Sequence, residues 1–189
     1  MNLTENLTPI RKGHIRIYEE GNPSNILYEN DNAICNGASW LFARMFANIN
    51  EPQNGIWGLA VGAGDSNWPA NNQPDAMPTQ TAIITPITRK PLSSAKFVDI
   101  NFNQVEHSNL VEFQTVLNAT TDNLLIPIRE MGLIGGGTTG TNMMDQINTP
   151  FFNPEVPVNN TAVLINYKTL PPLLLPAGIN FVFSWTLNF

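Results

Sequence analysis

The chain has 189 residues and a formal net charge of −6, and charged residues make up only 13% of it. An ordinary soluble domain carries about 25% charged residues, so this surface must be polar largely through amides and hydroxyls. Such a surface is suited to packing against other subunits. Phosphate contacts need clustered Lys and Arg. The few basic residues here are scattered, so we expect no nucleic acid partner.

Sequence features also argue against a membrane partner and against a disulfide-dependent fold. No apolar run approaches the roughly 18–20 residues that a membrane helix requires. Residues 1–11 are polar and lack the apolar core of a signal peptide. The single Cys35 cannot form an internal disulfide, so we expect a fold that does not depend on oxidation.

The first predicted elements are two short strands. Residues 14–18 alternate, with Ile15 and Ile17 on one face. Residues 21–24 have the composition of a turn, and residues 26–28 are a second short strand.

One amphipathic helix is predicted near residues 32–49. Asp31 or Asn32 would be its N-cap, and apolar residues then recur at spacings of three and four. These residues are Ile34, Ala38, Leu41, Met45 and Ile49.

The middle of the chain combines a buried strand, a long loop and an edge segment. Residues 57–61 are a compact apolar run, which predicts a buried strand. Residues 66–78 are rich in Asn, Pro and Gln without periodicity, which predicts a long surface loop. Residues 81–92 contain Pro86 and Pro91, which favour an edge position because proline cannot donate to a ladder.

Alternating strands dominate the rest of the chain. Residues 96–103 and 111–117 predict an antiparallel pair. A strand follows at 163–167, and prolines at 171–176 are expected to shape the turn into the last strand. Residues 179–189 alternate most clearly, and their apolar side is expected to be the central rib of the core. The residues of that side are Ile179, Phe181, Phe183, Trp185, Leu187 and Phe189.

This pattern predicts a mainly β fold: an antiparallel β-sandwich, jelly-roll-like or barrel-like, with one helix and long Pro- and Asn-rich loops. We expect a single β-rich domain over residues 1–189. Residues 1–30 would form an N-terminal arm of short strands, and residues 31–189 would form the core.

No motif predicts a catalytic, cofactor or metal site. Gly64-Asp65-Ser66 matches the opening block of the Gly-Asp-Ser hydrolases, but His14 and His107 both lie well before the C-terminal region where that family has its base. Residues 135–140 have the glycine spacing of a phosphate-binding loop but lack its lysine. Cys35 is interpreted as a small core residue. We therefore expect neither an enzyme nor a cofactor.

Arg129 and Glu130 are charged residues inside an otherwise apolar segment. On a strand, Glu130 would share a face with Ile128 and be partly buried. We interpret the pair as structural, with an ion pair or a hydrogen bond to the backbone of a loop as its role.

Three pieces of the sequence carry a resemblance to a known class. They are the run Gly58–Asp65 after the helix, the segment Ile128–Gly135, and Lys168 with the closing Phe183–Phe189. Over about residues 30–189, this order resembles small structural proteins of tailed-bacteriophage virions, of the kind found in tails, baseplates and fibre attachments.

The resemblance implies a non-enzymatic component of a virion assembled in the bacterial cytoplasm. It also implies that other virion proteins are the partners and that the chain forms a symmetric homo-oligomer. The Pro-rich insertions at 65–91 and 149–157 would adapt the common core to a neighbour. Interface candidates are Trp68, Arg129, Glu130, Phe151 and Phe152.

Two alternatives remain open. The chain could be a capsid decoration protein that clamps shell subunits with the same fold. It could also be a carbohydrate-binding module, with Trp57, Trp68 and Tyr28 stacking on sugars. In the favoured interpretation, Trp57 belongs to the core and Trp68 is an interface anchor.

Overall fold

A computed structural model of the protein describes residues 12–47, 55–137 and 162–189. These residues form β-strands and one helix. The elements are β1 (Lys12–Glu19), β2 (Asn22–Ile34), α1 (Asn36–Ala47), β3 (Ile56–Gly62), β4 (Pro86–Pro91), β5 (Ser94–Val98), β6 (Leu110–Asn118), β7 (Ile128–Gly136), β8 (Ala162–Leu164), β9 (Asn166–Leu173) and β10 (Asn180–Asn188).

The strands form one curled antiparallel sheet that makes a half-barrel. Their order is β4-β3-β7-β9-β2-β1-β10-β6-β5. The short β8 is not part of this order and pairs with β7. The prediction of a mainly β, antiparallel, barrel-like fold is confirmed. The predicted edge position of the 81–92 segment is also confirmed, because β4 ends the sheet on one side.

The sheet has two halves that meet at a narrow junction. We call β2, β1, β10, β6 and β5 the β10 half, and β4, β3, β7, β8 and β9 the β7 half. They join where β2 pairs with β9 through Ala33↔Tyr167 and Ile34↔Asn166. Both halves contribute side chains to the main core.

Strand β10 is central to its half, as its alternation predicted. It pairs with β1 on one side and with β6 on the other. Phe181, Phe183, Trp185 and Leu187 are at most 2% exposed, and each such burial stabilises the fold by roughly 1.5–3 kcal/mol. The outer ends of the predicted rib, Ile179 and Phe189, are each 37% exposed.

The helix begins later than predicted. Asp31 and Asn32 are not N-cap residues, because β2 runs on through Ile34 and pairs with β1 as Asp31↔His14 and Asn32↔Gly13. The backbone N–H groups that a cap would bind at the start of a helix are here part of a strand that pairs with its neighbours. Of the predicted apolar stripe, Ala38 and Leu41 are buried, and their apolar contacts hold α1 against the sheet.

The C-terminal part of the predicted stripe does not reach the core. Met45 is 39% exposed, and its neighbour Phe46 is 84% exposed. Ile49 lies outside the described residues. No helix in the described part of the chain is long and apolar enough to cross a membrane.

Residues 12–30 are part of the sheet and not an arm. Strand β1 lies between β2 and β10, and Ile15 and Ile17 are fully buried. The short strand predicted at 26–28 belongs to the long β2.

Two further strand boundaries differ from the prediction. Strand β5 ends at Val98, not near 103, because the Asp99 carboxylate accepts hydrogen bonds from the backbone N–H groups of Asn101 and Asn103 and closes a turn there. The prolines at 171 and 172 lie within β9, and the turn into β10 is made further on, around residues 177–178.

Candidate functional site

A long loop between β3 and β4 is the most distinctive surface feature of the β7 half. Residues 63–85 contain no helix or strand, which confirms the predicted surface loop at 66–78. Loops of this length without secondary structure are uncommon in compact domains and are usually functional or flexible. The contacts of this 63–85 loop show that it is fastened to the sheet.

Both ends of the loop are tied to the carboxylate of Glu130, which is 0% exposed. Its Oε1 accepts hydrogen bonds from the backbone N–H groups of Gly64 (3.1 Å) and Thr85 (2.8 Å). Its Oε2 accepts from the N–H of Ile84 (2.9 Å) and from the hydroxyl of Tyr167 (2.8 Å). Burying a carboxylate is costly unless its lone pairs are satisfied, and here four donors satisfy them.

The register of β3 and β7 explains why Glu130 meets the loop. Gly62 is paired with Glu130 at the end of β3, so the chain leaves the sheet beside the carboxylate. A Cβ atom at Gly62 would lie 2.5 Å from both Glu130 Oε1 and Ile83 Cγ2. Only glycine leaves room for this approach. Gly64 then turns the chain with a φ of 73°, and the Trp68 ring packs directly against it.

Arg129, the neighbour of Glu130 on β7, holds the middle of the loop. Its guanidinium donates to the carbonyl oxygens of Pro69 (2.5 Å) and Trp68 (3.4 Å). It also lies 5.5 Å from the centre of the Trp68 ring, within the range of a cation–π interaction. Adjacent residues of one strand thus secure the loop at different points.

Other contacts complete the attachment. The Thr169 hydroxyl donates to the carbonyl of Pro74 (2.7 Å), and the Asn36 N–H donates to the carbonyl of Pro78 (2.8 Å). These two bonds link the loop to β9 and to the start of α1. A loop held at so many points is preorganised and not free.

A small apolar cluster, separate from the main core, includes the end of this loop. Ile83 is buried in it together with Cys35, Trp57 and Tyr167, and Ala76 packs against it. Burial raises the pKa of the Cys35 thiol to about 12, which agrees with its interpretation as a core residue. Burial, and then the nearby Glu130 carboxylate, raise the pKa of the Tyr167 phenol. Tyr167 therefore remains a neutral donor.

Three predicted interface residues come together at this loop. Trp68 is half-buried between Gly64 and Arg129, and Arg129 is partly exposed beside it. Glu130 is inaccessible, so its carboxylate holds the loop and does not itself face a neighbour, in line with the structural interpretation of its role. Phe151 and Phe152 lie outside the described residues.

The residues of the alternative interpretations lie elsewhere or are buried. Trp57 is 4% exposed in the core, as the favoured interpretation predicted. Ser66 is exposed on the loop, and His14 is bonded not to it but to Glu29 and Asp31. No group of three His, Cys, Asp or Glu side chains within the described ranges could hold a metal ion.

A second buried carboxylate, which the sequence interpretation missed, lies on the outer face of the β10 half. Glu112 on β6 is 1% exposed. Its oxygens lie 2.9 Å from Lys96 Nζ and 3.7 Å from Arg16 Nη2, and the Ser184 hydroxyl donates to it over 2.5 Å. The signal in the sequence was an acid inside the alternating 111–117 strand.

No protein-family model matches the chain, and no curated protein matches it either.

Proposed function

We propose that this chain is a non-enzymatic structural component of a bacteriophage virion that assembles with other virion proteins through its loops. The tail, baseplate or fibre-attachment region is the favoured location, and a symmetric homo-oligomer is the favoured form. The observation that supports this proposal best is the 63–85 loop, an exposed Pro- and Asn-rich segment fastened to a β scaffold by Arg129 and Glu130.

A fastened loop is well suited to protein recognition. Association costs free energy when flexible segments must be ordered, and this loop is ordered by contacts within its own chain. Its outward residues are mostly amides, prolines and small side chains, so a neighbour can bond to them without desolvating charges. Met77, 58% exposed on the loop, and the half-buried Trp68 are residue types that are enriched in interfaces.

The same geometry favours protein contact over sugar binding. Trp57 is enclosed in the core, and the Trp68 ring is partly covered by Gly64 and Arg129. A sugar platform needs an open aromatic face. A capsid decoration protein would use the same loop, and only the position in the particle separates it from a tail or baseplate protein.

Met77→Glu is the sharpest test of this proposal, with Leu125→Glu as its matched control. Both residues are exposed, at 58% and 69%, but Leu125 lies outside the loop. Each variant would be supplied during growth of the phage whose genome encodes the chain, and purified particles would be analysed by mass spectrometry. We expect the wild-type chain and Leu125→Glu in particles and Met77→Glu to be lost.

Cryo-electron microscopy of the same particles would place the chain on the tail or on the head. Absence of the wild-type chain from particles, together with a monomer in analytical ultracentrifugation, would overturn the proposal. Normal incorporation of Met77→Glu would reject the role of the loop.

A further inference from the structure

An open cavity of about 490 Å³ lies on the β10 half, away from the 63–85 loop. Strand β1 contributes Gly13 and His14, and the end of β10 contributes Thr186 and Asn188. The turn after β5 and the residues leading into β6 form the remaining walls. A volume of this size is within the range of natural ligand sites, roughly 300–1,000 Å³.

The walls of the cavity combine negative charge with apolar surface. Asp31 and Asp99 line it, and the side chains of Ile100, Phe102 and Leu110 supply apolar area. No Lys or Arg is among its lining residues. Hydrogen bonds from Asn103 hold the pKa of the Asp99 carboxyl below its usual value, so this group is ionised at neutral pH.

The acidic side of the cavity has a defined geometry. His14 Nδ1 lies 3.0 Å from Asp31 Oδ1, and His14 Nε2 lies 3.0 Å from Glu29 Oε1. These contacts use one carboxylate oxygen of Asp31, and the Lys168 ammonium interacts electrostatically with the same carboxylate. The Asp31 side chain is 82% exposed, which keeps this carboxylate accessible.

A largely buried polar residue of β10 also lines the cavity. Thr186 is 7% exposed and lines the cavity beside His14, its partner in the β1–β10 register. A hydroxyl that lines the cavity can form a hydrogen bond with a polar atom of a ligand.

The apolar wall of the cavity already contacts one cation of this chain. The Arg16 guanidinium lies 3.9 Å from the centre of the Phe102 ring, and Arg16 is not a lining residue. The same guanidinium also lies close to the carboxylate of Glu112, which forms a second ion pair with Lys96. Ile100, at the tip of the same turn, is 82% exposed and offers apolar surface to an incoming chain.

We propose that this cavity binds a basic side chain, Arg or Lys, presented by a partner protein. The cationic head would lie between Asp31 and Asp99, and the aliphatic stem would pack on Ile100 and Phe102. Basic side chains commonly bury their stems in this way while the charge stays at a polar rim. The net charge of −6 favours the approach of such a partner. This inference does not depend on the 63–85 loop or on a place in a virion.

The test uses the isolated full chain and N-acetyl-arginine amide as the probe. Amide chemical shifts would be followed by NMR during titration, with the citrulline analogue as the neutral isostere. We expect saturable shifts at His14, Asp31 and Phe102 with millimolar affinity that weakens as salt is added. We expect no such shifts with citrulline.

Two charge-matched variants separate the site from the overall charge. Asp31→Asn should weaken binding about tenfold, because a charge-assisted bond is lost. Glu20→Gln, at an exposed acid outside the cavity, should leave the affinity unchanged, and Asp99→Asn offers a second site variant. Equal binding of arginine and citrulline, equal weakening by Asp31→Asn and Glu20→Gln, or shifts with a methyl glycoside but not arginine would each overturn the proposal.

Discussion

The two halves of the sheet each bury one glutamate, and the two carboxylates are satisfied in opposite ways. Glu130 in the β7 half receives only neutral donors, three backbone N–H groups and one phenol. Glu112 in the β10 half lies beside two cations and a hydroxyl. Both residues are at most 1% exposed, so burial alone does not reveal the role of either.

The difference lies in what each carboxylate organises. Glu130 shapes backbone, because its partners are the two ends of one loop. Glu112 balances charge, because Arg16 and Lys96 have side chains only 18% and 29% exposed. Substitution of Glu130 should therefore open a specific segment, whereas substitution of Glu112 should leave an electrostatic cost that salt can screen.

Glu130→Gln should have the largest effect. The amide replaces one acceptor oxygen with a donor that faces N–H groups, so we expect the free energy of unfolding to fall by about 3 kcal/mol. The 63–85 loop should also open locally and uncover the cluster that contains Cys35. The measurements are urea denaturation and the reaction rate of the single thiol with a disulfide reagent under native conditions.

The control for this prediction is Glu112→Gln, which should leave Cys35 as protected as in the wild type. A Glu130→Gln variant with an unreactive thiol would contradict the view that this carboxylate fastens the loop.

Glu112→Gln should cost about 1–2 kcal/mol, because it leaves two partly buried cations without their counter-charge. This loss should shrink at high salt, where repulsion between Arg16 and Lys96 is screened. Denaturation at low and high sodium chloride would measure it. The loss in Glu130→Gln should change little with salt, and equal salt dependence of the two variants would remove the distinction.

Tyr167→Phe should cost about 1 kcal/mol at neutral pH, since it removes the phenol donor to Glu130. The folded-state pKa of Tyr167 is raised above its ordinary value of 10.0. Its contribution is therefore fully present below pH 10 and is lost as the pH rises above that value. Stability measured against pH should fall less steeply above pH 10 in Tyr167→Phe than in the wild type.

Tyr28→Phe is the control for this pH dependence. The Tyr28 pKa is also raised by burial, but no bond between Tyr28 and Glu130 is present. A Tyr28→Phe variant that matched Tyr167→Phe in both neutral and alkaline stability would contradict a special role for the Tyr167–Glu130 bond.

A pair of threonine substitutions should give the smallest effects, with opposite signs in the two halves. Thr115, 1% exposed on β6, has a hydroxyl without a hydrogen-bond partner among the described residues. Thr115→Val should therefore raise the free energy of unfolding by about 0.5–1 kcal/mol. Thr169→Val should lower it by a similar amount, because it removes the donor to Pro74. Thermal unfolding of both variants would test this, and destabilisation by Thr115→Val would count against it.

Much of the candidate site could be anticipated from the sequence, but its assembly could not. An acid inside an apolar strand marked Glu130 as structural, and Trp68 stood out in a loop without periodicity. Their meeting depends on the Gly62↔Glu130 register, which joins residues far apart in the chain. The Glu112 cluster was missed because its cations come from two other strands.

The sequence by itself determined the strands whose side chains alternate, above all β10. Alternation is a local property, because successive residues of a strand face opposite sides. Only the tertiary structure decided where β2 ends and α1 begins. Asp31 and Asn32 have good capping side chains, but pairing with β1 extends the strand through them. Tertiary pairing also placed β1 inside the core and brought both ends of the 63–85 loop to one carboxylate, because such contacts join distant segments and leave no periodic trace in the sequence.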